Sequence, residues 1–558
     1  MSTQEPRAAP TGPDRESQVP CSHRALLARG ESIADLLTRE KLFTVDCGGI
    51  ARLPALVGGA LLVPALPPMK EIEEALASGL KAIDIGETHL IMVDAEIDGQ
   101  PLRALAVPRV TDPEDLIPRD RVDQIRAIHP ADFDSIVRYV DLIGAAMAPD
   151  GPIVQRALPL AVACSDQPEY LVRMGFRDVH AAFQGRALGV AVDRELSYGG
   201  RAGREFLDGW VDIPDEIRPG SMAIARAELG GPAAGIPPKR RLRAFPTRQL
   251  HITAGNSPVI SAVSALRALA TKGPMTVKLP SGALVAGSAF ALALWAASPE
   301  HPMVRHASIA YWRGGDPAVE EALFRQGAFE RIVVWGSRAS VESVVSRAAG
   351  IKTLVFNPRY GLSLIGQEAL LPGAIEETVR LGAQDAMVWN QQACIASLVH
   401  YVEGSSETVD RYCAALTSEL ALWDVAHRHS PSREMVGRIR SARRGELSNG
   451  QWRFNGTPIA PTSAVVRMDH GFDLSAHPQA RVIVVRPVGD IAETLELMHP
   501  GVSSVGILPR CRLDALRDEI CGRGVTSVLA LGEVDTLFAG APHDGMRPLS
   551  ELVSWAVA

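Results

Sequence analysis

Residues 248–356 constrain the fold more than any other stretch of the chain. Five short apolar runs (QLHITAG, MTVKLP, HASIAYW, RIVVWGS, KTLVF) alternate there with four helix-like segments (SPVISAVSALRALATK, GALVAGSAFALALWAAS, DPAVEEALFRQ, ASVESVVSRAAG). This alternation predicts right-handed βαβ units and a parallel sheet. Ligands of such sheets lie at the carboxyl ends of the strands. Asn256, Lys278, Gly336 and Asn357 all fall at those ends. The most apolar segment, 283–298, is shorter than the roughly 20 residues a membrane span needs. Its place between two strands predicts a buried helix, so no integral membrane segment is expected.

At 558 residues the chain exceeds one comfortable core, which predicts two or three domains. Its net charge, 57 − 64 = −7, argues against broad nucleic-acid binding. Seven scattered cysteines show no CxxC and no zinc spacing. Reduced thiols, a cytoplasmic location and no metal site are therefore expected. Residues 1–24 are polar and Pro-rich, without an apolar signal region, and read as a disordered tail. Residues 25–235 mix β-rich runs with mainly helical patterns and read as an N-terminal region partly packed on the next unit. Residues 237–246 read as a solvated basic loop.

The dinucleotide-binding unit is expected over 236–385 and a second α/β unit over 386–535, with 536–558 as a C-terminal segment. In the second unit a helix is expected through SLVHYVE and another through ETVDRYCAALTSELALWDVAHR. Residues 430–480 read as irregular. Strands are expected at RVIVVR, SVGIL and SVLAL.

The common catalytic signatures are absent: there is no GxxxxGK[ST], HExxH or GxSxG, and no GxGxxG after the strong strands. What remains is a thiol. Cys394 ends the run Trp389-Asn-Gln-Gln-Ala-Cys. A thiol can exchange one thioester for another at little cost and hold an acyl group covalently. It needs a lowered pKa to react readily. Asn256 follows a strand and precedes Pro258, so it reads either as a helix cap or as an oxyanion donor acting with the Cys394 backbone N–H. Lys278 ends a strand, where it is either an exposed cation or a ligand of ribose hydroxyls or phosphate. Gly336-Ser337 is either a plain turn or a close approach for a dinucleotide at a helix start.

Taken in order, AGNSP, TVKLP, VVWGS and NQQAC resemble the aldehyde dehydrogenase superfamily. HITAGNSP, DAMVWNQQACIAS and APHDGMRPLSELVSW are similar to the fatty acyl-CoA reductases of bacterial bioluminescence operons (LuxC-like). The resemblance covers roughly residues 240–558. It implies an α/β fold: a parallel-sheet dinucleotide-binding domain, an α/β catalytic domain and an oligomerisation arm. It implies that Cys394 is the nucleophile, Asn256 an oxyanion donor, Lys278 a ribose ligand and Gly336 and Ser337 cofactor neighbours. It further implies a fatty acyl-CoA substrate, hence coenzyme A, a homodimer or homotetramer, and an acyl-activating partner enzyme.

Two departures refine it. Hydrolytic relatives carry a glutamate base after the fifth strand, whereas Phe356-Asn-Pro-Arg-Tyr-Gly-Leu362 has no carboxylate. Glu368 is the nearest substitute and would permit oxidation to the acid. NAD-preferring relatives carry Glu where this chain has Ser281, which implies NADPH. A non-catalytic acyl-binding scaffold is the remaining alternative.

Overall fold

The computed structural model describes residues 23–558 except 29, 119–120, 129, 214–220, 230–239, 428–430, 458 and 537. The tail expected over 1–22 lies outside the described residues. His23–Arg24, also expected as tail, pair with the strand Ala60–Val63.

The five apolar runs form the strands Gln249–Ile252, Met275–Lys278, Ala307–Ala310, Arg331–Trp335 and Lys352–Phe356, all parallel. Gln249–Ile252 lies between Met275–Lys278 and Arg331–Trp335. The strand order therefore reverses there, and the crevice at its carboxyl end is the expected ligand position. The sheet is covered on both faces, so its central strands are buried throughout rather than alternating. Leu284–Ala297 is apolar on every side and lies in the interior, against helices Phe133–Ala146 and Pro152–Ala163. Phe133, Val154, Phe290 and Ile309 share one core, so the N-terminal helices and this sheet are packed together.

The second sheet runs in the order 451–456, 461–467, 482–488, 397–403, 360–365, 502–508, 527–530 and is parallel except at its first pair. Residues 357–359 link the last strand of the first sheet to Tyr360–Ile365 of the second. The carboxyl end of the last strand of the first sheet thus leads directly to the amino end of a central strand of the second.

Three expectations are corrected. SLVHYVE is a fully buried central strand, Ser397–Glu403, not a helix. A short apolar run carries too little periodicity to separate the two. Neighbours decided it: Ser397 bonds Ser363 Oγ (2.8 Å) and His400 bonds Tyr412 Oη (2.8 Å). Residues 430–480 contain the helix Arg433–Arg444 and the hairpin Gln451–Gly456 with Pro461–Arg467. Within the expected basic loop, Arg240–Pro246 is a strand paired with Val553–Val557 near the end of the chain and with Val211–Ile213; residues 237–239 lie outside the described residues. That partner is more than 300 residues away in sequence.

Candidate active site

The Cys394 turn is built on unfavourable backbone. Helix Ile375–Met387 ends, and Trp389, Asn390 and Gln391 follow with φ of 47°, 56° and 64°. Left-handed geometry costs a non-glycine residue roughly 1–2 kcal/mol, less for Asn. Buried side chains hold it. Gln391 Nε2 donates to the Val482 carbonyl (2.7 Å), and the Val482 N–H donates to Gln391 Oε1 (2.8 Å). The fully buried Arg481 pairs with Asp424 and donates to Asn390 Oδ1 (3.3 Å). Downstream, Ser504 Oγ donates to the Ile395 carbonyl and the Gly361 N–H to the Ala396 carbonyl, both at 2.8 Å.

Asn256 reaches this turn. Its Nδ2 donates to the Gln392 carbonyl (2.8 Å), two residues before Cys394. Gln167 bridges the same two segments, donating to Gln392 Oε1 (2.8 Å) and the Asn256 carbonyl (3.3 Å). The helix-cap alternative falls away, because Ser257 Oγ, not Asn256, accepts from the Val259 N–H. Gly175, in helix Glu169–Ala182, fits between the two segments: a Cβ there would overlap Pro258 and come 3.0 Å from Trp389. A cavity of about 30 Å³ beside Asn256 is lined by Cys164, Val172, Pro258, Ser281 and Leu284.

Cys394 is half-buried. Burial, with the Asp544 carboxylate adding, pushes its thiol up to about 11, while Arg359 opposes. Burial thus acts against the lowered pKa that a reactive thiol calls for. Cys164 and Cys413 are raised by burial as well, each to about 12.

A sequence model of the acyl-CoA reductase (LuxC) family matches residues 242–555, more than half of the chain. The chain belongs to that family. Its relatives include the long-chain acyl-protein thioester reductase of Vibrio harveyi, 24% identical over 324 residues (56% of this chain, 64% of the relative), and that of Photorhabdus luminescens, 26% identical over 322 residues (56% and 64%). The match thus spans slightly less than two thirds of the relatives' own length. Among solved structures, an indole-3-acetaldehyde dehydrogenase from P. syringae aligns with TM-score 0.65 at 12% identity, covering 94% of this chain and 98% of that one. Aldehyde dehydrogenase 21 from Physcomitrella patens aligns with TM-score 0.62 at 14% identity, covering 85% and 95%. The expected aldehyde dehydrogenase-like α/β fold is thereby shown.

The other expected site residues line the first sheet's carboxyl ends. Lys278 is surrounded by the aromatic faces of Tyr311 and Trp312, with Nζ 5.9 and 5.7 Å from their centroids. Burial lowers its pKa, opposed by Glu320. Ser281 is exposed beside it, and Gly255 approaches Gly282 so closely that a Cβ would lie 3.3 Å from the Gly282 Cα. Gly336 is half-buried, and the exposed Ser337 caps helix Arg338–Arg347.

Glu368 is elsewhere. It follows the carboxyl end of Tyr360–Ile365, whereas Cys394 precedes the amino end of the parallel neighbour Ser397–Glu403. The strand between them spans about 20 Å, and Glu368 pairs with Arg512 instead (3.1 Å).

Sequence reasoning missed Gln167, Arg359 and the turn at Asp544. Asp-Gly is a signal for a tight turn, and His543 and Met546 do exchange backbone hydrogen bonds of 3.0 and 2.9 Å across it. That its His543 packs against Trp335 and Phe356 has no local signal. Among the described residues no cluster of metal-ligating side chains occurs, and no helix is long and apolar enough to cross a membrane.

Proposed function

We propose that this chain is a reductase that takes a long-chain acyl group from a thioester, with acyl-CoA as donor, onto Cys394 and releases it as aldehyde with NADPH. The observation that carries the reading is the Asn256–Gln392 hydrogen bond, which ties the loop at the dinucleotide sheet's switch point to the turn bearing the thiol. Family membership supports the reaction class.

In this reading Cys394 Sγ attacks the thioester carbon, and the Cys394 N–H and Asn256 Nδ2 stabilise the oxyanion. Nδ2 carries two hydrogens, of which Gln392 takes one. A donor of this kind contributes about 3 kcal/mol to the transition state. The nicotinamide supplies hydride when bound. Lys278 is the ribose ligand, its aromatic surroundings fixing the side chain, while Gly336 and Ser337 border the cofactor. Ser281 and the exposed Arg313, on the segment beside Lys278, suit a 2′-phosphate. With Glu368 at the far end of its strand and no carboxylate in the 356–362 segment to activate water, the site favours reduction over hydrolysis.

The reading includes self-association through the sheet formed by Arg240–Pro246 and Val553–Val557, a cytoplasmic setting and an acyl-activating partner enzyme. The test is tetradecanoyl-CoA with NADPH and the pure protein, following nicotinamide absorbance and trapped aldehyde. Turnover and a hydroxylamine-labile acyl label, both absent in Cys394→Ala, are expected. No oxidation of NADPH across a chain-length series refutes the reading.

A further inference from the structure

The Asn256 loop and the Cys394 turn both belong to the span that matches the family, residues 242–555, whereas Gln167 lies well before it. Gln167 is buried on the short link between helices Pro152–Ala163 and Glu169–Ala182, where its N–H donates to Ser165 Oγ (3.0 Å). Its amide closes a ring of three residues from three distant segments. Gln167 Nε2 donates to Gln392 Oε1 (2.8 Å) and to the Asn256 carbonyl (3.3 Å), and Asn256 Nδ2 donates to the Gln392 carbonyl (2.8 Å). Both Nε2 hydrogens of Gln167 are thereby used.

The direction of these amides is fixed. The main-chain carbonyls of Gln392 and Asn256 can only accept, so Asn256 and Gln167 must turn their nitrogens towards them. The other ends of the same two amides are left over. Gln167 Oε1 and Asn256 Oδ1 are buried with no hydrogen-bond partner among the described residues, and both residues line the cavity of about 30 Å³. Buried acceptors without donors lower stability. Folding alone does not select such an arrangement; unsatisfied groups of this kind persist where a site has to be held. Further along Glu169–Ala182, Gly175 lies against Pro258 and Trp389, so one N-terminal segment engages both loops at two points.

We infer that Gln167 is a positioning residue for acyl transfer, one that aims the Asn256 side chain at the carbonyl oxygen of the acyl donor. The role rests on the reading of Cys394 as the acylated nucleophile and Asn256 as an oxyanion donor. Of the two Nδ2 hydrogens of Asn256, Gln392 takes one. The two N–H bonds diverge at a fixed angle, so the direction of the first sets the direction of the second. Gln167 clamps both ends of that first bond, the Asn256 main chain on one side and the Gln392 side chain on the other.

Gln167→Met keeps the length of the side chain and removes the donor. Gln392→Met, at a half-buried position, removes the same bond from its other side. Two rates are measured: single-turnover acylation by radiolabelled tetradecanoyl-CoA, without NADPH, across acyl-CoA concentrations, and alkylation of Cys394 by iodoacetamide. Alkylation uses the thiol but no oxyanion donor. In Gln167→Met the maximal acylation rate falls by about 10- to 100-fold, while the half-saturating acyl-CoA concentration and the alkylation rate stay within about twofold of the parent. The double variant is no slower than Gln167→Met alone, because both substitutions break one bond. Acylation of Gln167→Met within about threefold of the parent, alkylation that falls in step with acylation, or losses that multiply in the double variant each overturn the assignment. An unlabelled parent, or undiminished label in Cys394→Ala, is a different failure: it removes the nucleophile, and the aiming of its oxyanion donor with it.

Discussion

Gly175 is the position where one atom should disturb the whole site. It sits in helix Glu169–Ala182 with no room for a side chain: an added Cβ overlaps Pro258 Cγ, lies 3.3 Å from Pro258 Cδ and 3.0 Å from Trp389 Cη2. Carbon atoms pack best at about 3.5–4.0 Å, so Gly175→Ala has to push the Pro258 segment back by more than about 1 Å. Pro258 is two residues from Asn256, and Trp389 opens the strained turn that ends at Cys394. Overpacking of this kind costs about 1–3 kcal/mol. At about 2–4 °C per kcal/mol, the melting temperature falls by roughly 2–12 °C. A misplacement near 1 Å also costs on the order of 10²-fold in rate, so acyl label on Cys394 should form that much more slowly. Gly437→Ala is the control, because its Cβ meets nothing within 4 Å in helix Arg433–Arg444; helix propensity there gives a gain of about 0.5–1 kcal/mol. If Gly175→Ala melts like the parent and acylates within threefold, the packing argument for how the two loops are aligned is wrong.

Three further outcomes follow from the geometry. Gln391→Ala leaves the Val482 N–H and carbonyl buried without their partners; at about 1–3 kcal/mol each, denaturant unfolding should show a loss of roughly 2–5 kcal/mol, and a loss under 1 kcal/mol would count against the turn being held this way. Ser281→Glu should weaken NADPH binding by about 30-fold, or roughly 2 kcal/mol of like-charge repulsion, far less than the unscreened Coulomb limit, while NADH binding changes little; a fluorescence titration with an unchanged ratio rejects the 2′-phosphate placement. Burial lifts the Asp385 carboxyl from 3.8 to about 7, against hydrogen bonds from the Gly532 and Val534 N–H groups. The folded state thus holds a proton that the unfolded chain releases: the contribution is complete below pH 4 and is lost as pH rises towards 7, by roughly 4 kcal/mol. The stability difference between parent and Asp385→Asn should therefore drift against the parent from pH 4 to 7, and a flat difference refutes it.

The first sheet was legible in the chain because each of its strands is a short apolar run separated by a helix long enough to return. A buried, predominantly apolar helix at 284–297 was legible for the same reason. Ser397–Glu403 was not: seven residues, polar at Ser397 and His400, fit a helix as well as a strand until Ser363 and Tyr412 supply their partners. Arg240–Pro246 was hidden for a related reason, since its partner strand lies more than 300 residues on.

The same division holds at the site. Sequence alone nominated the side chains proposed for thioester chemistry, Cys394 and Asn256, and set them at element ends, because residue type and local pattern are properties of the chain itself. Tertiary structure alone decided that Asn256 meets Gln392, that Glu368 pairs with Arg512 at the far end of its strand, and that Arg359 meets Asp544. Proximity between distant residues is created by packing, and the charge a buried group carries depends on the neighbours that packing brings.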